Sequence, residues 1–167
     1  MTIHEYISKA KVTAQQIQEC VLDFLRIRDD AVLIGAWAVN LYAIDADEEQ
    51  RQTADIDLIT LNPNLQVELI GYVYANRGVW LTIHSSYPDM IRLYVKGMNN
   101  DKPLVDIVNG TAESETKDDL PVATIPWLVA AKKKAIASST RPETKRLMDK
   151  RDLLVLEKAE ERWQSKS

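Results

Sequence analysis

"AVLIGAWAVNLYAIDADEEQRQTADIDLIT", Ala31 to Thr60, is the stretch on which the fold turns. Ala31–Ile34 is an apolar run with the length of a buried strand. Gly35 follows at once, and "AWAVNLYAI" then reads as a short apolar helix, giving a strand, a tight glycine turn and a helix. "DADEEQRQ" is polar, lacks periodicity and reads as a loop. "DIDLIT" reads as a second strand, its apolar content supplied by Ile56, Leu58 and Ile59. It also carries Asp55 and Asp57, although strand interiors are usually poor in aspartate. Side chains alternate along a strand, so the two carboxylates share one face, about 7 Å apart, while Ile56 and Leu58 occupy the other.

Upstream, "TAQQIQECVLDFLRIRDD" predicts an amphipathic helix with Ile17, Val21, Phe24 and Leu25 on one stripe. Thr13 and Gln16 form a capping-box pattern at its start. Downstream, "NPNLQVELIGYVYANRG" predicts a helix with Asn62 or Asn64 near its cap and Gly78 just past its end. "VWLTIH", "MIRLYVK" and "PLVDIVNG" read as strands. In the second of these, Ile91, Leu93 and Val95 alternate with Arg92, Tyr94 and Lys96, so one face is buried. "AESETKDD" reads as a charged loop. From Pro126 onward only helices are predicted, in "WLVAAKKKAIAS" and "RPETKRLMDKRDLLVLEKAEERW", the latter with a capping-box pattern at Thr140 and Glu143. The sum is an α+β fold, a mixed sheet flanked by helices. Residues 1–124 are expected to form the core with its N-terminal helix. Residues 125–167 form a C-terminal helical segment packed on it, the whole one compact unit of 167 residues.

Composition narrows the chemistry. A net charge of −4 argues against a surface that grips nucleic acid as a whole, while leaving room for a local basic patch. Cys20 is the only cysteine, so neither a disulfide framework nor a thiolate metal site is expected. His4 and His84 are the only histidines, which argues against a histidine-type zinc site. The N-terminus lacks a signal-peptide pattern, and the longest apolar run is too short to span a bilayer. A soluble, cytoplasmic protein without membrane partners is the expectation.

Asp106 lies between Val105 and Ile107, in another apolar strand context. If that strand neighbours the one bearing Asp55 and Asp57, three carboxylates converge on one sheet face. Such groups raise one another's pKa, and a divalent cation with oxygen ligands resolves the repulsion. Gly35, at a strand-to-helix turn, adds a helix N-terminus of the kind that seats a phosphate.

Taken together, "LIGAWAVNLY…RQTADIDLIT" resembles the signature of the nucleotidyltransferase superfamily that includes DNA polymerase beta. That signature is an apolar strand, Gly-Gly or Gly-Ser, a short helix, then Asp-x-Asp on the next strand, with a third carboxylate later, matched by Asp106 in "KPLVDIV". Further pieces resemble the small abortive-infection nucleotidyltransferases that serve as toxins of type IV toxin–antitoxin systems. Lys102 precedes Asp106; "WLVAAKKKA" offers Lys132; Arg141 is followed by Asp149 and Asp152. "GAWAVN" also resembles the Gly-Gly-Trp-Ala-Val-Asp of antibiotic nucleotidyltransferases acting on aminoglycosides or lincosamides.

The resemblance implies a transferase that moves a nucleoside monophosphate from a nucleoside triphosphate to a hydroxyl of RNA, protein or a small molecule. Asp55, Asp57 and Asp106 would be catalytic and would hold Mg2+ or Mn2+, with Asp106 as third ligand or as base. Gly35, Ala36, Thr53 and Lys132 would bind nucleotide and phosphate, and Lys102, Arg141, Asp149 and Asp152 would support them. A toxin would have a separate antitoxin chain. Ala36 departs from the pattern: a methyl group stands where the family has glycine or serine. Weakened nucleotide binding, or a catalytically inactive binding or regulatory protein of the same fold, is therefore the alternative. Other positions have plainer readings: "KKK" as a solvated helix face, Arg51 as a loop charge, Asp149 and Asp152 as surface partners of Lys145 or Lys150, and Trp37 as core packing or a base-stacking group.

Overall fold

The computed structural model describes residues 12–53, 55–87, 89–97 and 103–165. Helix α1 (Ala14–Arg26) opens on the capping box: Gln16 N–H donates to Thr13 Oγ1 at 3.1 Å, and Thr13 N–H donates to Gln16 Oε1 at 3.0 Å. Strand β1 (Ala31–Ile34) runs into α2 (Gly35–Asp45) without an intervening loop. Strand β2 (Ile56–Thr60) follows, then α3 (Leu65–Arg77), which ends on Gly78 at φ +64°, the left-handed cap glycine favours. Asn64 is the N-cap of α3, and its N–H donates to Asn62 Oδ1 at 2.9 Å.

Strands β3 (Leu81–Tyr87), β4 (Met90–Val95) and β5 (Val105–Asn109) come next. In β4, Leu93 and Val95 are buried and Ile91 is half-buried. The segment predicted as a charged loop, Ala112–Asp119, holds instead β6 (Ser114–Lys117) and the turn of a hairpin whose second strand, β7 (Leu120–Ala123), follows it. Its two-residue turn is Asp118–Asp119, both at positive φ, the conformation that two-residue hairpins require. β6 carries no apolar residue and lies at the sheet edge, so neither alternation nor hydrophobicity marks it as a strand. Thr124 caps α4 (Ile125–Ala137), accepting from Trp127 N–H at 3.4 Å, with Pro126 in the first turn where its missing N–H does no harm. The chain closes with α5 (Glu143–Ser165); Thr140, three residues before it, places its hydroxyl 3.1 Å from that of Ser138.

The strands form one seven-stranded mixed sheet in the order β3-β4-β5-β2-β1-β7-β6. β2 lies at its centre, antiparallel to β1 and parallel to β5. Ile56, Leu58, Leu33 and Val105 are buried from these three strands and join the core beneath α1, α2 and α3. α1 packs against α3 and β7, α2 against β1, β2 and α5, and α4 against α5. Among the described residues no helix is long and apolar enough to cross a membrane.

Candidate active site

Register assembles the acidic group. Asp57 on β2 stands opposite Asp106 on β5, and opposite Ile34 on β1, the residue before the glycine corner. Asp55 enters just ahead of β2. One carboxylate oxygen from each of Asp55, Asp57 and Asp106 lies within 4.8 Å of the others. Burial first, then the charges of Asp55 and Asp106, push the Asp57 carboxyl up to about 8. Burial also raises Asp106, to about 6, with Arg92 pulling the other way and Asp55 adding to the rise. Asp106 is 6% exposed, and its Oδ1 accepts no hydrogen bond.

Gly35 is required twice over at this corner. Its φ is +68°, and a Cβ built there would lie 2.2 Å from Asp57 Oδ2. The glycine therefore lets α2 start directly behind the carboxylate. The N-cap of α2, Ile34, makes no side-chain capping bond, so the first-turn amides are not covered by their own helix cap. Ala36, in that first turn, is buried with its residue lining the cleft.

The loop before β2 is held by local bonds. Asn40 on α2 mimics a backbone partner for Arg51: Arg51 N–H donates to Asn40 Oδ1 at 3.1 Å, and Asn40 Nδ2 donates to Arg51 O at 2.7 Å. Thr53 Oγ1 donates to Asp55 O at 3.1 Å and lies 3.4 Å from Asp55 Oδ1, so it fixes the backbone that carries the first carboxylate.

Facing the acids is a buried ion network. Asp149 and Asp152, one turn apart on α5, are each 1% exposed. Lys132 Nζ on α4 lies 2.9 Å from Asp152 Oδ2 and 3.3 Å from Asp149 Oδ1. Arg141 donates to Asp149 through Nε at 2.7 Å and Nη2 at 3.1 Å. Arg51 grips Asp152 with Nε at 3.2 Å and Nη2 at 2.9 Å. Burial works against the Asp149 charge, but Arg141 and Lys132 hold its carboxyl below the ordinary range. Three cations on two carboxylates leave one positive charge over.

Between the acids and this network lies a cleft of about 630 Å³. Asp55, Asp57, Asp106, Ala36, Thr53 and Lys132 all line it, as do Arg141 and Asp149, while Asp152 lies behind, joined to Lys132 and Arg51. The solvated-face reading of "KKK" fits Lys133 and Lys134, which are exposed, but not Lys132, which is 9% exposed. Asp149 and Asp152 are not surface partners of their own helix; they are buried and reach α4 and the loops. Trp37 is half-buried against the core. Lys102 lies outside the described residues.

Two participants have no sequence signal of their own. Arg92 on β4 stands opposite Asp106, with Nε 3.4 Å from Asp106 Oδ1. Lys145 on α5 lines the same cleft, and its charge acts on Asp106. Both read in the sequence as ordinary charges on amphipathic elements, and only strand register and helix docking bring them to the site.

No protein-family model matches the sequence, and no curated protein matches it either. Solved structures do. The Megavirus polyadenylate synthase superposes with a TM-score of 0.66 at 13% identity, covering 91% of this chain and 35% of that one. The antibiotic-resistance factor ANT(2'')-Ia superposes with a TM-score of 0.51 at 14% identity, covering 92% of this chain and 89% of that one. The chain thus spans about a third of the length of the synthase and most of the length of the resistance factor. What this likeness establishes is the architecture: a mixed sheet flanked by helices, in the nucleotidyltransferase fold.

Proposed function

We propose that this protein is a divalent-cation-dependent nucleotidyltransferase, moving a nucleoside monophosphate from a nucleoside triphosphate to a hydroxyl acceptor. The observation that carries this is the meeting of Asp55, Asp57 and Asp106 beside the Gly35 corner, facing a cationic wall across an open cleft. The donor set fits a hard cation. All three donors are carboxylate oxygens, Asp106 Oδ1 is buried without a hydrogen bond, and burial, with the charges of Asp55 and Asp106 added to it, makes the ionised Asp57 carboxylate costly until a cation joins it. Bound there, Mg2+ or Mn2+ supplies positive charge to the reacting phosphate and acidity to the attacking hydroxyl.

The chain's own residues do the rest. Asp55 and Asp57 hold the cation, with Thr53 keeping Asp55 in place. The first-turn amides of α2, at Gly35 and Ala36, and the Lys132 ammonium bind the phosphates. Arg51, Arg141, Asp149 and Asp152 position Lys132. The acceptor oxygen forms a bond to the α-phosphorus, and the α–β bridging P–O bond breaks. Its electron pair leaves on pyrophosphate, and the acceptor's proton passes to the Asp106 carboxylate.

A second reading rests on Ala36, whose methyl stands where the signature has glycine or serine: a nucleotide-binding module that does not catalyse. Incubation with α-labelled nucleoside triphosphates, Mg2+ and mixed cellular RNA, protein and small-molecule acceptors separates the two. Label transfer by the wild-type protein and none by Asp57→Asn is the expected result. Tight Mg2+-dependent nucleotide binding by calorimetry without transfer supports the module, and equal transfer by Asp57→Asn overturns the catalytic assignment. The toxin form of this reading, a cytoplasmic enzyme restrained by an antitoxin, predicts a neighbouring gene whose product suppresses transfer. An antibiotic-resistance setting predicts transfer to the drug.

A further inference from the structure

We infer that Arg92 and Lys145 form an anion clamp that selects, as acceptor, a polynucleotide 3′ end rather than a polycationic sugar. This rests on the nucleotidyl-transfer reading of the site and names its acceptor. Two sets of cations line the cleft. Lys132 on α4 is braced by Arg51 and Arg141 through Asp149 and Asp152. On the strand side, β5 carries Asp106 next to β4, and Arg92 sits in register with it.

Every carboxylate lining the cleft among the described residues is already committed. Asp55, Asp57 and Asp106 form the cation-binding group, and Asp149 is bound by Lys132 and Arg141. An acceptor bearing several ammonium groups finds no carboxylate left to receive them. It meets Arg92 and Lys145 beside Asp106 instead, and burying like charges together is unfavourable. A phosphodiester on the 5′ side of a terminal sugar has the opposite sign, and the guanidinium fork of Arg92 matches its geometry.

The neighbouring surface suits the rest of a nucleotide. Two residues along the same strands, Met90 pairs with Val108, so both share the face of Arg92 and Asp106. Both are half-buried and line the cleft, forming an apolar shelf beside the cations. An apolar shelf next to two cations is the arrangement that packs a base while holding its phosphate.

The test uses the full chain and two readouts. The first is fluorescence anisotropy of 5′-labelled oligoribonucleotide and oligodeoxyribonucleotide, which distinguish RNA from DNA ends. The second is label transfer from Mg2+ and nucleoside triphosphate to those oligonucleotides, to 3′-blocked versions, to an uncharged nucleoside and to tobramycin. Arg92→Gln and Lys145→Gln should each weaken oligonucleotide binding about tenfold and raise the acceptor KM similarly, as loss of a charge-assisted contact does. Arg92→Lys, which keeps the charge but loses the fork, should recover only part of the binding, and the KM for nucleoside triphosphate should rise less than the KM for the acceptor. Should Arg92→Gln fold poorly, Lys145→Gln on the exposed side of α5 carries the same test. Oligonucleotide binding that both glutamine variants leave intact overturns the inference, as does preferred transfer to tobramycin. Clamp-dependent oligonucleotide binding with no transfer to any acceptor supports the clamp and sinks catalysis, so the two claims fail separately.

Discussion

At the scale of single residues, Gly35 and Asp57 constrain each other. The left-handed backbone at Gly35 alone makes alanine unfavourable by roughly 1–2 kcal/mol, and the new methyl would collide with Asp57 Oδ2. Gly35→Ala is therefore expected to lower the thermal midpoint and to abolish Mn2+ binding, followed by calorimetry. Asp57 also sets a pH dependence. Its folded-state pKa of about 8 lies above the unfolded value, so between about pH 4 and pH 8 the native state holds a proton that the unfolded chain has released. Without divalent cation, stability contributed by this group should fall as pH rises through that window. Asp57→Asn should flatten the slope and raise the cation-free midpoint at pH 8, while added Mg2+ should stabilise the wild type more at pH 8 than at pH 6. Thermal melts across pH, with chelator or with Mg2+, check each part. Asp55, Asp57 and Asp106 are legible in the sequence because aspartate is anomalous between apolar strand residues. Arg92 is not, because an arginine alternating with Ile91 and Leu93 is what any half-exposed strand contains.

At the scale of elements, the ion network fastens α4, α5 and the loop before β2 to one another. Asp152 is its hinge, shared by Lys132 and Arg51. Truncating it leaves two cations facing a buried gap, and breaking a buried pair in this way costs about 3–5 kcal/mol. Asp152→Ala should lose stability of that size in urea titration. Lys158→Ala, which removes only an exposed pair with Glu48, should leave the urea midpoint almost where it was. A near-neutral Asp152→Ala would mean that the network does not fix these elements. The helices were legible from period and caps: Thr13 with Gln16, Gly78, and the entry at Pro126. The β6–β7 hairpin was not. Its turn is Asp-Asp rather than Asn-Gly, and Ser114–Lys117 has no buried face to set a pattern.

At the scale of the whole molecule, stability and ligand binding are linked through the central strands. Leu58 is fully buried on the face of β2 opposite Asp57. Leu58→Ala should destabilise the fold by about 2–5 kcal/mol, and saturating Mg2+ with nucleotide should recover part of the loss by mass action, raising the melting midpoint with ligand concentration. No recovery at any concentration would show that the folded variant does not bind Mg2+ with nucleotide. Strands β1 to β5 were legible from local pattern, but strand order was not. The placement of β5 beside β2, rather than beside some other strand, comes from burial of Ile56, Leu58, Val105 and Ile107 together, a non-local choice no window of sequence contains.

That placement has a kinetic consequence. β2 and β5 are parallel neighbours, yet everything from Leu61 to Leu104, including α3, β3 and β4, is threaded between them. Parallel pairing across so long a connection is among the slowest events a chain undertakes, since loop closure precedes any reward. Helical signal should therefore return early in refolding, while affinity for Mn2+ should appear only when the last strand docks. The proposed metal site would then act as a clock for the finished molecule, and a nascent chain ending before Val105 would lack the third carboxylate of the acidic group.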